Sequence, residues 1–242
     1  MKGRYVETQY LDYQERYAVE PRRADVRLIE FIARECDTRP PDRRLKLLDI
    51  GCSSGNLLHH LRNRLPHLQY AGADVFPSII ERCSENPRLA GIDFHVLDVR
   101  KFDKFPSSFD FVTVNAVLHR FDRATLVASL KNIANTLVPD GVLYLFEFCH
   151  EFRQNIVIDE RQLTHPEGAR LHIWSKDEFD AILSEAGLSR GQYSPFEIDI
   201  DLPRPTQQDD MTTYTVNTVE GGRLQFRGSL LMPWCHIVCR RA

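Results

Sequence analysis

Residues 46–56 read KLLDIGCSSGN, and they carry the strongest indication of the fold class. Residues 46–50 form a short, nearly continuous apolar run, the pattern of a strand covered on both faces. Gly51 and Gly55 then permit a tight turn, and the helical pattern LLHHLRNRL follows. We therefore predict a strand, a tight turn and a helix in direct succession.

The same alternation continues along the chain. Helical spacing or apolar runs predict further helices at 25–36, 77–83 and 123–137, and further strands at 69–75, 93–97, 109–115 and 142–148. Strands and helices that alternate with short connections build a parallel sheet between helices. The predicted fold class is therefore α/β, with a doubly wound, mostly parallel sheet and helices on both faces.

The pattern changes after a helix that Ser175 and Glu178 begin as a capping box and that Gly187 ends. Strands without intervening helices are predicted at 196–202, in a hairpin through TYTVNTV and RLQFRG, and at 229–240. We expect an antiparallel edge on the sheet. We count one domain over 1–242, with an N-terminal helical segment (1–44), a core (45–190) and C-terminal strands with a long hairpin-like insertion (191–242).

The composition is that of an ordinary globular protein of 242 residues, with 43 % apolar residues, 27 % charged residues and a net charge of −3. This charge does not suit a dedicated nucleic-acid binder, and no window is apolar enough for a signal peptide or a membrane span. We expect a cytoplasmic protein that uses neither nucleic acid nor a membrane as partner. A monomer and a homodimer both stay open.

The six cysteines are scattered without a C-x-x-C pair, so reduced thiols and no metal are expected. A zinc site at Cys235, His236 and Cys239 is disfavoured, because alternation along a strand turns His236 away from both sulfurs.

The ligand of the first turn can be argued from charge. A dinucleotide fingerprint needs G-x-G-x-x-G, and only Gly51 of this turn matches it. Asp49 precedes the turn, where a carboxylate repels a diphosphate but attracts an ammonium group. A ligand with both a carboxylate and an amine suits the turn better, and S-adenosylmethionine carries that pair.

Polar residues at the ends of the following strands fit the same ligand. Asp74 is placed to accept the ribose hydroxyls, Asp98 to accept the adenine amine, and Asn115 to lie beside the sulfonium. The complete set of expected cofactor-binding residues is Asp49, Gly51, Cys52, Ser53, Gly55, Asn56, Asp74, Val75, Asp98, Val99, Asn115 and Ala116.

The chain resembles the class I, Rossmann-type S-adenosylmethionine-dependent methyltransferases of the small-molecule type over roughly residues 45–190. The motifs that carry the resemblance are LLDIGCSSGN, GADV, LDV, FDFVTVNAVLH and LVPDGVLYLFE. Ser53 departs from the family's middle glycine. The resemblance implies a seven-stranded sheet whose last strand is antiparallel and lies between the fifth and sixth. It also implies an N-terminal lid, for which Tyr13, Arg16, Tyr17 and Arg22 are the candidates.

Methyl transfer is an in-line displacement, in which the protein aligns the reactants and excludes water. A general base is needed only when the acceptor is protonated at working pH. The candidates are His119, beyond the fourth strand, and Glu147 and His150, at the end of the fifth. Packing is the alternative role for each of them.

The predicted function is methyl transfer to an O or N atom of a small-molecule acceptor. Three alternatives stay open at this point: a protein or peptide methyltransferase, a catalytically silent subunit that binds S-adenosylmethionine, and a dehydrogenase.

Overall fold

The computed structural model describes residues 14, 16–101, 105–160, 168–197, 201, 213–217, 221–227 and 232–241. Tyr13 lies outside this part of the chain, and so do residues 198–200, 202–212, 218–220 and 228–231 of the predicted C-terminal strands, hairpin and insertion. None of the described helices is long and apolar enough to cross a membrane.

The helices and strands alternate over the first two thirds of the chain. The helices are α1 (Arg23–Cys36), α2 (Asn56–Arg64), α3 (Pro77–Glu85), α4 (Arg123–Thr136) and α5 (Lys176–Glu185). The strands are β1 (Lys46–Ile50), β2 (Gln69–Asp74), β3 (Asp93–Val96), β4 (Phe109–Asn115), β5 (Leu137–His150), β6 (Ile156–Glu160), β7 (Ala169–Ser175), β8 (Gln192–Pro195), β9 (Thr213–Asn217), β10 (Arg223–Arg227) and β11 (Trp234–Arg240).

The main sheet follows the order β3-β2-β1-β4-β5-β11-β8, and β7 and β6 branch from β5. β11 lies between β5 and β8 and runs antiparallel to β8. This order confirms the predicted α/β class and the antiparallel last strand between the fifth and sixth. Within the part of the chain that the structure describes, the sheet contains nine strands instead of the expected seven, because β6 and β7 form an additional antiparallel pair.

Two compact units make up the chain. The first unit comprises the described residues up to Val114, together with Asn132–Leu143 and Arg241. In it, β3, β2, β1 and β4 are all parallel, and Asp49 of β1 is in register with Gly72 and Thr113. Gly72 permits close packing, because a Cβ at this position would lie 2.6 Å from Phe94 and 2.9 Å from Leu58.

The second unit comprises Asn115–Lys131 and Tyr144–Arg240. Its core includes a cluster of buried side chains from β5, β6, β7 and the segment before β11: Phe148, Ile158, Leu171, Ile173 and Met232. The predicted hairpin is present as an antiparallel pair of β9 and β10. Of the strand predicted at 196–202, the structure describes only residues 196, 197 and 201, so this prediction is not tested. The chain pairs with β11 just before it, at Gln192–Pro195, and Glu197 forms an isolated bridge with Leu224. The prediction of a single domain stays a prediction.

Candidate active site

The turn after β1 is built on left-handed backbone at alternate positions. Gly51, Ser53 and Gly55 have φ values of 76°, 49° and 74°. The amides of Gly51 and Cys52 both donate to the carbonyl of Ala73, at 2.7 and 3.0 Å. Ser53 therefore keeps the conformation for which glycine is favoured, although it has a side chain. The turn is fixed against the end of β2 and leads directly into α2.

Asp49 is the buried carboxylate below this turn. Its side chain is almost fully enclosed, and Thr113 of β4 donates a hydroxyl hydrogen bond to it at 2.7 Å. Burial raises the pKa of Asp49 to about 7, and the neighbouring Asp25 and Asp74 raise it by smaller amounts. The hydrogen bond from Thr113 lowers it and offsets part of this rise. A carboxylate in this setting is stabilised in its ionised form by a cation.

Asp74 ends β2 and connects the turn to the following loop. One of its carboxylate oxygens accepts from the Ser53 amide and the other from the Phe76 amide, both at 3.1 Å. The carboxylate is buried. Because each carboxylate oxygen has a second lone pair, Asp74 keeps acceptor capacity for hydroxyl groups of a ligand. The next residue, Val75, is exposed.

Asp98 and Val99 lie two and three residues beyond the end of β3. The Asp98 carboxylate accepts two hydrogen bonds from the Arg100 guanidinium, each at 2.8 Å, and these bonds lower its pKa. Val99 is buried, and its carbonyl accepts from Asn132 at 3.0 Å. The structure thus gives Asp98 an internal partner that the sequence did not indicate.

An N-terminal segment lies against the glycine turn. Asn56 donates to the backbone carbonyl of Gln14 at 2.8 Å, and the Ser54 hydroxyl donates to the Gln14 side chain at 3.0 Å. Arg22 donates to the same side-chain oxygen at 3.2 Å.

Two of the predicted lid residues take part in this contact. The carbonyl of Tyr17 is 2.7 Å from the His60 ring, and the Arg22 guanidinium lies 4.7 Å from the centre of the Tyr17 ring. Arg16 is exposed. Gln14 was missed by sequence reasoning, because a single glutamine in a polar segment carries no signal.

In the second unit, the backbone turns sharply after β4. Ala116 has a positive φ of 56°, and its amide donates to the Phe146 carbonyl at 2.9 Å. Among the described residues, the Oδ1 atom of Asn115 is buried and accepts no hydrogen bond. Strained backbone and an unsatisfied buried acceptor are features that concentrate at functional sites.

Glu147 of β5 accepts four hydrogen bonds from the segment that follows this turn. Its Oε1 accepts from the amides of Val117 and Leu118, both at 2.7 Å. Its Oε2 accepts from the amide and from Nδ1 of His119, at 3.1 and 2.8 Å. The carboxylate is almost completely buried. Glu147 therefore fixes both the backbone of the segment and the orientation of one imidazole.

The two candidate histidines present opposite tautomers. Glu147 is an acceptor, so Nδ1 of neutral His119 carries the hydrogen and Nε2 carries the lone pair. The His119 ring packs edge-on against Phe148 and Trp234. In His150, Nδ1 accepts from the Phe152 amide at 3.1 Å, so Nε2 carries the hydrogen. Burial lowers the pKa of His150.

The chain belongs to a methyltransferase family. The family model Methyltransf_23, described as a methyltransferase domain, matches residues 14–190. With the observed strand order, this match confirms the resemblance to class I S-adenosylmethionine-dependent methyltransferases. Both the family and the fold agree with the expected cofactor.

Similar curated proteins include two malonyl-acyl-carrier-protein O-methyltransferases. The one from Haemophilus ducreyi is 26 % identical over 180 residues, which are 71 % of this chain and 66 % of that protein. The one from Acetivibrio thermocellus is 29 % identical over 107 residues, which are 44 % of this chain and 37 % of that protein. A trans-aconitate 2-methyltransferase from Methylobacterium nodulans is 28 % identical over 59 % of this chain and 57 % of its own length. The chain thus spans less than two thirds of each relative.

Solved structures share the fold at low identity. The 1,6-didemethyltoxoflavin-N1-methyltransferase of Burkholderia thailandensis, bound to 1,6-didemethyltoxoflavin and S-adenosylhomocysteine, has a TM-score of 0.58 and 15 % identity. The match covers 98 % of this chain and 87 % of that one. The CurJ carbon methyltransferase has a TM-score of 0.59 and 16 % identity, covering 90 % of this chain and 54 % of that one.

Proposed function

We propose that this chain binds S-adenosylmethionine at the turn after β1 and transfers its methyl group to an O or N atom of a small-molecule acceptor. The observation that carries this proposal is the buried Asp49 carboxylate beneath a turn of left-handed backbone, with Asp74 beside it. Buried negative charge favours a ligand with a positively charged group. When bound, the cofactor supplies an activated methyl group.

In this proposal, different residues of the first unit bind different parts of the cofactor. Asp49 attracts the ammonium group, and the Gly51–Asn56 turn accommodates the amino-acid end. Asp74 accepts the ribose hydroxyls, and Asp98 with Val99 receives the adenine. In the second unit, Asn115 and Ala116 are proposed as further cofactor-binding residues, since the buried Asn115 Oδ1 accepts no hydrogen bond among the described residues.

His119 is the proposed general base for acceptors that must lose a proton. Its Nε2 lone pair takes the proton, and Glu147 stabilises the charge that develops on the ring. Glu147 accepts four hydrogen bonds already, so we assign it as a positioning residue. His150 presents Nε2–H rather than a lone pair, which favours a donor role toward an acceptor oxygen.

The relatives suggest which acceptors to test first. Their names specify a malonyl group on a carrier protein and trans-aconitate, and both acceptors contain carboxylates. A carboxylate is ionised at neutral pH and needs no base, whereas an alcohol or an ammonium does. We therefore propose a carboxylate oxygen as the first class of methylated atom to examine.

Cofactor binding is tested by calorimetric titration with S-adenosylhomocysteine. We expect one site per chain, and at least tenfold weaker binding after Asp74→Ala because two ribose hydrogen bonds are lost. Asp110→Ala is the matched control, since Asp110 is a buried aspartate of the same unit that accepts from the Lys46 amide instead. Equal affinity in wild type and Asp74→Ala would contradict the assigned role.

The role of His119 is tested by turnover of His119→Ala with a set of acceptors. With an alcohol or amine acceptor, kcat of this variant should fall at least tenfold while its cofactor affinity stays unchanged. With a carboxylate acceptor, kcat should fall little. Unchanged kcat for every methylated acceptor would remove His119 from the chemistry.

A further inference from the structure

Three side-chain donors of the first unit hold the side chain of Gln14. Its Oε1 atom accepts from the Ser54 hydroxyl at 3.0 Å and from the Arg22 guanidinium at 3.2 Å. The same atom accepts from the Asn56 side-chain amide at 3.3 Å. Gln14 is only 7 % exposed. Donors from the turn after β1 and from the residue before α1 therefore converge on one enclosed oxygen atom.

This oxygen atom is a poor match for its three donors. An amide oxygen has two lone pairs, so it cannot accept three strong hydrogen bonds at once. The two N–H···O bonds, at 3.2 and 3.3 Å, are longer than the usual distance of about 2.9–3.0 Å. One donor is the Arg22 guanidinium, whose positive charge a neutral amide oxygen does not balance. The donors therefore suit an acceptor with more lone pairs and a negative charge.

A carboxylate has both of these properties. Its two oxygens offer about four acceptor sites and share one negative charge. Hydrogen bonds between a guanidinium and a carboxylate are also shorter and about twice as strong as those between neutral groups. Ser54 and Asn56 belong to the turn to which we assign the amino-acid end of the cofactor. That end of S-adenosylmethionine carries a carboxylate.

We propose that Arg22, Ser54 and Asn56 form a subsite for the carboxylate of the cofactor, and that the Gln14 side chain occupies this subsite until the carboxylate replaces it. The identity of the ligand rests on the function proposed above, in which Asp49 attracts the ammonium group. The cofactor then competes with an acceptor of the chain itself, so Gln14 lowers its apparent affinity.

The N-terminal backbone can stay in place during this exchange. The Asn56 side-chain amide has two hydrogens, and it also donates to the backbone carbonyl of Gln14 at 2.8 Å. The carbonyl of Tyr17 lies 2.7 Å from Nε2 of His60. Both contacts use backbone atoms of the N-terminal segment. Rotation of the Gln14 side chain alone is therefore sufficient to release the three donors.

Two substitutions of Gln14 should change cofactor affinity in opposite directions. Gln14→Ala removes the competing acceptor, so calorimetric titration should show at least fivefold tighter binding of S-adenosylhomocysteine than in wild type. Gln14→Glu places a carboxylate of nearly the same shape in the subsite, where charge-assisted hydrogen bonds hold it. This variant should bind S-adenosylhomocysteine at least tenfold more weakly. Gln69→Ala, which changes an exposed glutamine of the same unit, is the matched control and should bind as wild type does.

A second ligand identifies the carboxylate as the group that competes with Gln14. Decarboxylated S-adenosylmethionine keeps the ammonium group and lacks the carboxylate, so its affinity should change less than about twofold in Gln14→Ala. Arg22→Gln should weaken binding of S-adenosylhomocysteine at least tenfold and leave the decarboxylated ligand nearly unaffected. Retained affinity for the decarboxylated ligand also shows that each variant is folded.

Equal or weaker binding of S-adenosylhomocysteine by Gln14→Ala overturns the inference, and so does an equal gain in affinity for both ligands. Wild-type protein that binds neither ligand contradicts the proposed function and this inference together. Wild-type protein that binds both ligands, with no effect of the Gln14 substitutions, contradicts this inference alone.

Discussion

Gly55 shows how one residue constrains the turn after β1. It has a φ of 74°, and a Cβ at this position would lie 2.5 Å from Cδ1 of Leu89. Gly187 has a similar φ of 77°, but no atom lies within 4 Å of the position of its Cβ. Comparison of Gly55 with Gly187 therefore separates the free-energy cost of a left-handed backbone from the cost of a steric clash.

Replacement of these glycines by alanine should therefore have unequal effects on stability. Gly187→Ala should lower the free energy of unfolding by about 1 kcal/mol, which is the conformational cost alone. Gly55→Ala should lower it by about 2–4 kcal/mol, because overpacking against Leu89 is added. Urea unfolding of both variants measures the difference, and equal losses would contradict the clash.

Asp49 predicts how cofactor affinity depends on pH. Its pKa of about 7 means that much of the free protein carries a neutral Asp49 at neutral pH, while a cationic ligand requires the ionised form. The affinity for S-adenosylhomocysteine should fall about tenfold from pH 8 to pH 6. Asp49→Asn should bind S-adenosylhomocysteine weakly, with an affinity that stays constant from pH 8 to pH 6. An unchanged slope in this variant would assign the titration to another group.

The same shift affects stability with a definite sign. The folded pKa of Asp49 lies above its ordinary value of 3.8, so between these two values the folded chain binds more protons than the unfolded chain. The contribution of Asp49 to the free energy of unfolding is therefore complete below pH 3.8 and is lost as the pH rises through about 7. Unfolding of wild type and Asp49→Asn at pH 5 and 8 should show a steeper decline in wild type.

At the scale of elements, the segment after β4 depends on a single carboxylate. Glu147→Gln replaces an acceptor of four hydrogen bonds by a group with one oxygen, and hydrogen bonds to charged groups contribute about 1.5–3 kcal/mol each. We expect a loss of about 2–4 kcal/mol in the free energy of unfolding and faster hydrogen exchange at residues 117–119. Glu178→Gln breaks a solvent-screened ion pair with Arg123 and should change the free energy of unfolding far less. Slow exchange at 117–119 in Glu147→Gln would refute the positioning role.

The elements also show what the sequence could predict. β1 and β4 were predicted with their observed bounds, because buried parallel strands give continuous apolar runs. The first half of the predicted capping box is present, since the Glu178 amide donates to Ser175 at 3.3 Å, but the Glu178 side chain pairs with Arg123 instead. β6 was missed because one of its faces is exposed, as at Val157. β8 is short and ends in proline, so its sequence gives a weak strand pattern. The alternating apolar and polar residues at 196–202 give a stronger one.

For the whole molecule, the sequence predicted the family and the class of fold. It did not predict most of the hydrogen-bond partners at the candidate site. The turn and the strand-end aspartates follow from local motifs that carry their own physical reasons. The turn residues that contact Gln14, and the partners of Glu147 and Cys83, lie 28 or more residues away in the chain. No local periodicity reports such contacts, so they emerge only when the chain is folded.

The central claim is that the turn after β1 binds the amino-acid end of an adenosyl ligand above Asp49. The most direct measurement is a crystal structure of this protein grown with S-adenosylhomocysteine. We expect the ligand's ammonium group at Asp49 and its ribose hydroxyls at Asp74. A crystal with no ligand at this turn, or with the amino-acid end bound elsewhere on the chain, would contradict it.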